Sequence, residues 1–177
     1  MPATVRASLA LFRAAAAWPG IDAVAHWVVF CLDDGRYALP LSNTVRIVRA
    51  AEITPLPAAP PNVLGALNVA GNVLPVFNLR RRFGLPERAL APADHLLIAR
   101  TGDRTVVLTI DAALGVIDHP EAEMVDAARI TSDLAHIRGV LPLEDGLVLI
   151  HDLEQFLSCA ESRQLEDAMD AEARRAS

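Results

Sequence analysis

The sequence predicts an all-β body with helical ends, built as two small barrels, and three observations carry that reading. Four hairpin signals recur, at Asp33-Asp34-Gly35, Ala70-Gly71-Asn72, Thr101-Gly102-Asp103 and Glu144-Asp145-Gly146, each between runs rich in strand formers. The signals also repeat. Phe30, the turn at 33–35 and Tyr37 map onto Ile98, the turn at 101–103 and Thr105 at a displacement of 68, while Gly65 and Val76–Leu79 map onto Gly139 and Ile150–Leu153 at a displacement of 74. Two copies of a unit of roughly 60 to 70 residues follow, each with about five short strands, a number that closes into a barrel with few free edges. Neither copy alone buries enough surface, so the two are expected to pack together, with exchange of a strand as one route.

Residues 1–25 read as a helical extension, because Val5, Leu9, Phe12 and Ala16 share one face and Pro19-Gly20 ends the pattern. The body spans 26–157, divided into a first barrel over 26–88 and a second over 89–157. Its opening hairpin joins His26–Leu32 to Arg36–Leu41, and Pro55, Pro57, Pro60 and Pro61 stiffen a crossing segment. Val73–Phe77, Thr105–Ile110 and Leu147–Ile150 are the later strand runs, and Pro86 to Pro92 mark the middle connection. Helical spacing returns with Leu153, Phe156 and Leu157, which can cover a barrel end. Residues 158–177 form a charged, Ala-rich tail expected to be helical or frayed.

Composition excludes several function classes. The 177 residues carry 16 basic side chains, all arginine, against 22 acidic ones, a net charge of -6. Such a balance offers no electrostatic footprint for nucleic acid or anionic lipid, and no run approaches the roughly 18 apolar residues of a membrane span. Cys31 and Cys159 lie far apart without ligand spacing, which fits reduced thiols and a cytoplasmic location.

Three Asp/His neighbours stand out, Asp94-His95, Asp118-His119 and His151-Asp152. Adjacent strand residues point to opposite faces, so a metal or acid/base site needs them to converge from separate strands; a small metal-dependent hydrolase is the enzymatic reading they would support. No nucleophile elbow, phosphate-binding glycine loop or HExxH is present, and no cofactor is expected. Arg80-Arg81-Arg82, the one basic run, reads as a solvated strand end that can meet an acidic protein partner. Trp18 and Trp27 are expected on the barrel surface and Val76 and Phe77 in the core. Gly71 supplies a positive φ and Asn68 ties its loop by hydrogen bonds.

The segment from Val63 to Gly84, VLGALNVAGNVLPVFNLRRRFG, resembles the signature of the CheW family, the coupling proteins of bacterial chemosensory arrays, whose pattern looks like GxxNxRGxxxPVxDLRxxxG. The opening hairpin through Tyr37–Leu41, Thr44–Val48, Ile53–Pro61 and Gly139–Leu153 are similar to further family elements in family order, so the resemblance covers about 26–157. It implies two five-stranded SH3-like barrels and a non-catalytic adaptor. The implied partners are a methyl-accepting chemoreceptor tip and the regulatory domain of a CheA-type histidine kinase; weak self-association through barrel edges is also open. It further implies a receptor groove at Ile47, Asn68, Val69, Ala70 and Gly71, with Arg80, Arg81 and Arg82 as contacts for kinase or partner. Three residues depart from the pattern. Ile47 stands where glutamate is common and Ala70 where arginine is usual, so a charge pair is lost as a unit, which is close to neutral for stability. Asn78 replaces the usual aspartate beside Arg80. A more apolar groove follows, and with it the alternative of a divergent scaffold serving a non-flagellar output such as surface motility or biofilm control.

Overall fold

A computed structural model describes residues 24–102, 104–129, 137–155 and 159–175. Most of the expected N-terminal helix, with Trp18, lies outside the described residues, as do Phe156 and Leu157; Val24 and Ala25 already belong to the first strand. Strands β1 (Val24–Leu32), β2 (Gly35–Pro40), β3 (Thr44–Arg49), β4 (Val63–Val69) and β5 (Asn72–Phe77) lead to a one-turn helix α1 (Leu79–Arg82). Then come β6 (His95–Thr101), β7 (Arg104–Ile110), β8 (Ala112–Pro120), β9 (Val125–Asp126), β10 (Ile137–Leu143), β11 (Gly146–His151) and helix α2 (Cys159–Arg175). All four expected hairpin turns close antiparallel pairs, β1 with β2, β4 with β5, β6 with β7 and β10 with β11.

Two sheets result, and their composition corrects the division at residue 88. One sheet has the order β8-β1-β2-β11-β10-β9 and the other β3-β6-β7-β5-β4. Neither consecutive half of the body makes a sheet by itself. Opening hairpin β1–β2 of the first copy sits among strands of the second, and opening hairpin β6–β7 of the second sits among strands of the first. What is exchanged is a whole hairpin rather than a strand. The first sheet also has six strands rather than five, because two-residue β9 adds to the edge of β10.

Register fixes the repeat residue by residue. In the second block Val63↔Phe77 and Gly65↔Val76 correspond to Ile137↔His151 and Gly139↔Ile150, with a bulge at the same place in both, as the displacement of 74 requires. In the first block the hairpin ends pair Leu32↔Gly35 and Thr101↔Arg104, so the displacement is 69 and the expected 68 is one residue short. A slip of one reverses every side chain. The counterpart of Phe30 is therefore Ala99; both pack between the sheets, whereas Ile98 points into its own barrel.

Three apolar clusters explain why the hairpin runs are continuous instead of alternating. Trp27, Val29, Ala38, Leu141, Val148 and Ile150 fill the interior of the first sheet, and Leu67, Val76, Leu96, Ile98 and Val107 that of the second. Between them lies a third cluster to which β1, β2, β6 and β7 give their other faces, through Val28, Phe30, Leu39, Leu97 and Leu108 among others. Strands buried on both faces need apolar residues at every position. Trp27 is a core residue, 1% exposed, and not a surface one as expected. Of the two forms expected for the C-terminal tail, Cys159–Arg175 takes the helical one, and α2 sinks Leu165 into the middle cluster and buries Ala168.

Candidate functional site: an exposed hairpin turn and an ionic clasp

Asn68, Val69, Ala70 and Gly71 come together at the β4–β5 turn. Val69↔Asn72 is the last pair of the hairpin, and the two turn residues both have positive φ, 52° at Ala70 and 89° at Gly71. Gly71 takes this conformation freely, while the methyl group of Ala70 makes it cost on the order of 1 kcal/mol. Asn68 Oδ1 accepts a hydrogen bond from the Gly71 N–H at 2.9 Å, the tie that the sequence leads one to expect. Asn68, Ala70 and Gly71 are exposed, and Val73, across from Asn68, is 50% exposed. The turn thus presents a polar tip with an apolar shoulder.

Ile47 belongs to a different strand from this turn. It lies on β3 opposite Leu97, half-buried against the middle cluster, whereas Val69 packs against the interior of the second barrel; β3 and β4 are the two ends of that sheet's strand order. Its neighbour Val45 is 47% exposed. At the displacement of 69 that relates β3 to β8, Val45 corresponds to Leu114 and Ile47 to Val116, and the latter two are 41% and 52% exposed. Both edge strands therefore carry an apolar stripe at equivalent positions. Among these the sequence reading missed Val45, Leu114, Val116 and Val73; the repeat, once its register is set, is the signal that connects them.

The arginine triplet is not a solvated strand end. Asn78, buried, caps α1 by accepting from the Arg81 N–H at 3.2 Å, so the residue in the aspartate position has a neutral structural use. Arg80 is 6% exposed and reaches inward: its guanidinium donates to both carboxylate oxygens of Asp33 at 2.9 and 2.7 Å, to Asp111 at 2.5 Å and to the Pro86 carbonyl at 3.2 Å. A buried guanidinium whose two terminal nitrogens are both engaged within the chain is not a solvated contact, which corrects that expectation for Arg80. Arg81 is exposed and holds Glu87 with two bonds of 2.7 Å, and Arg82, half-buried, lies 3.4 Å from Glu161 of α2.

Arg88 continues this ionic cluster. It donates to Asp94 at 2.7 and 2.8 Å and to Asp111 at 2.7 Å, while Asp94 also accepts from the Ala91 N–H. Asp111 is the residue at which the chain crosses from β7 in one sheet to β8 in the other, and Asp33 is the tip of the exchanged hairpin β1–β2. The cluster is a clasp between barrels. Hydrogen bonds from Arg80 hold the Asp33 carboxyl below its ordinary range, and bonds from Arg88 do the same for Asp94, with burial opposing in each case. A cleft of about 330 Å³ beside the clasp is lined by Asn78, Thr109 and the apolar Ile53, Leu64 and Leu90. Its charged walls already satisfy one another.

The Asp/His neighbours do not converge. Asp94 belongs to the clasp; Asp118 receives His26 Nδ1 at 2.6 Å; His119 lies beside the Pro120 carbonyl and Glu123; His151 is buried with its ring 4.7 Å from that of Phe83. Among the described residues no group of three or more His, Cys, Asp or Glu is arranged to hold a metal ion, and no helix is long and apolar enough to cross a membrane.

Comparison with known proteins follows the same lines. The profile of the CheW-like domain matches residues 26–161. Chemotaxis protein CheW of Helicobacter pylori is 29% identical over 137 residues, covering 77% of this chain and 83% of that protein. Protein FrzA of Myxococcus xanthus is 31% identical over 114 residues, 63% of this chain and 71% of that one. Among solved structures, the scaffolding protein TtCheW from Thermoanaerobacter tengcongensis superposes with a TM-score of 0.72 at 25% identity, over 78% of this chain and 96% of its own.

Proposed function

The chain belongs to the CheW-like domain family, and on that premise we propose that it is a non-catalytic coupling adaptor that joins a chemoreceptor tip to a CheA-type histidine kinase in the cytoplasm. The observation that supports this most is the doubled barrel itself, which offers apolar residues at equivalent positions of two edge strands and so two surfaces on one chain. Two modest interfaces on one body raise the effective concentration of each partner for the other without any chemistry. In this reading the receptor is met by Asn68, Val69, Ala70 and Gly71 with their shoulder Val73, and by Ile47 on the β3 edge; Arg81, exposed although it holds Glu87, is the member of the triplet left for an acidic partner.

Titration against a receptor tip fragment and the kinase regulatory domain from the same source tests the reading. Binding to both is expected, and binding to neither defeats it. Within it, Ile47→Glu together with Ala70→Arg reinstates the two charges of the family pattern; a change of several-fold in receptor affinity is expected, and an unchanged value means that this surface is not the receptor site. The match to Protein FrzA, which does not carry the chemotaxis name of the other relatives, favours a second reading in which the same scaffold serves another output. A receptor fragment that binds while the flagellar kinase domain does not would select it.

A further inference from the structure

Strands β3 and β8 are counterparts by the repeat, and yet they end in opposite charges. Along β3 run Val45, Ile47 and Arg49, and at the displacement of 69 Leu114, Val116 and Asp118 run along β8. Asp118 is answered within the chain, because it pairs across the strands with His26, whose Nδ1 stands 2.6 Å from its carboxylate. Arg49 pairs with His95, the counterpart of His26. A cation thus stands where the other copy has a carboxylate, and His95 Nδ1 is buried with no hydrogen-bond partner among the described residues. Nor, among these residues, does any carboxylate lie within ion-pair distance of Arg49 or of Arg46, and both are exposed.

The β3 edge therefore combines apolar side chains with two unanswered positive charges, where β8 has Gly115 in place of Arg46 and an already paired Asp118 in place of Arg49. A guanidinium matches a carboxylate in shape and binds it by two parallel hydrogen bonds. Apolar contacts seat a helix, and charges at their rim decide which helix is accepted. On β3 the rim asks for acid.

We propose that Arg49 is the residue by which the β3 edge selects its partner: the helix seated on Val45 and Ile47 carries a glutamate or aspartate that Arg49 binds, and Arg46 adds to the attraction. The β8 edge, apolar at the same positions but ending in its own His26–Asp118 pair, does not make this selection. The inference rests on the reading that the receptor tip meets the β3 edge, and it adds the chemistry by which that helix is chosen.

Arg49→Asp gives this corner the arrangement already present at His26 and Asp118, so the variant does not threaten the fold. The full chain carrying it is titrated with the receptor tip fragment, beside the unaltered protein and Arg174→Asp, which makes the same change of net charge on an exposed part of α2. Arg49→Asp should bind at least about fivefold more weakly and with a shallower dependence on salt, while Arg174→Asp stays within about twofold of the unaltered protein. Changing one acidic residue of the receptor helix to arginine should then restore the affinity of Arg49→Asp. Undiminished binding by Arg49→Asp, an equal loss in Arg174→Asp, or restoration from none of the acidic positions overturns the proposal and leaves the adaptor reading standing. A fragment that binds no form of the chain overturns both.

Discussion

The β4–β5 turn and the β10–β11 turn are equivalent by the repeat, Ala70-Gly71 matching Glu144-Asp145, and yet the first is tied within itself, by Asn68, while the second is bound by a neighbouring strand. Val73 and Leu147, the next equivalent pair, are both strongly exposed, so each hairpin keeps an apolar shoulder. The difference lies in the neighbouring strand. β11 runs beside β2, from which Arg36 donates to the Asp145 carboxylate at 2.7 Å and to its carbonyl at 2.9 Å. β5 runs beside β7, where the residue corresponding to Arg36 is Thr105, and position 71 is a glycine with no side chain to hold. The two copies present similar loops, and Arg36 ties one of them to the neighbouring strand. Loop tips that carry function are drawn from the less constrained end of a fold.

The sharpest way to separate the two copies is through their bulge glycines. A Cβ on Gly65 would stand 2.1 Å from the Thr54 carbonyl oxygen, part of a backbone bridge in which Thr54 and Ala66 exchange hydrogen bonds of 2.9 and 2.7 Å. On Gly139 it would meet the Met124 side chain at 2.6 Å and the Val125 carbonyl at 2.8 Å. The methionine side chain can move aside and the Val125 carbonyl needs to give only a few tenths of an ångström, whereas the bridged Thr54 carbonyl is met far closer. Gly65→Ala should cost about 3 kcal/mol and Gly139→Ala about half of that, read from denaturant midpoints. Equal losses would mean that the crossing segment at Thr54 is softer than its hydrogen bonds indicate.

The same asymmetry marks what could be read from the sequence. The second block was legible to the residue, because Gly65 and Gly139 punctuate their strands and the bulges they allow fix the register. The first block slipped by one, because Phe30, Ile98 and their neighbours form runs apolar at every position, and a strand buried on both faces carries no alternation to set its phase. Hairpin exchange was legible only as a need for two copies to share a core, since nothing local says which sheet a hairpin joins. β8 went unread because Ala112–Pro120 contains Gly115 and the polar Asp118-His119. Of the candidate site, the Asn68–Gly71 tie follows from turn chemistry and was foreseen. The inward turn of Arg80 was not: its partners Asp33 and Asp111 lie 47 and 31 residues away, and charge spacing alone cannot bring them together.

Arg80→Met tests the clasp that joins the two barrels. Asp111 keeps Arg88 and Asp33 is half solvated, so the loss is discounted from that of a fully buried pair to about 2 kcal/mol, a fall of roughly 4 to 8 °C in melting temperature. Arg81→Met, at the exposed neighbour, should leave the melt within about 1 °C. A reversed order would mean that the triplet is held from outside. Acid probes the same cluster more gently. Asp33 and Asp94 have folded values below their unfolded ones, so their contribution is fully present above the ordinary aspartate value of about 4 and is lost as pH falls beneath it. Melting temperature should therefore be level from about pH 7 to 5 and fall below about pH 4, with a shallower fall in Asp94→Asn.

The smallest effect on stability bears most directly on the two loops. Asp145→Gly removes the carboxylate that Arg36 holds and gives the second turn the residue found at position 71 of the first. The pair is solvent-exposed on its acidic side, so the melting temperature should not move measurably. What should change is motion on the fast timescale: amide order parameters at 144–146, higher than those at 70–72 in the unaltered chain, should drop to meet them. If they stay high, the Arg36 contact is not what pins the loop. The freedom of the β4–β5 turn must then come from its own φ-positive pair, Ala70 and Gly71, and Ala70→Gly rather than a change at Thr105 becomes the substitution through which receptor affinity is tuned.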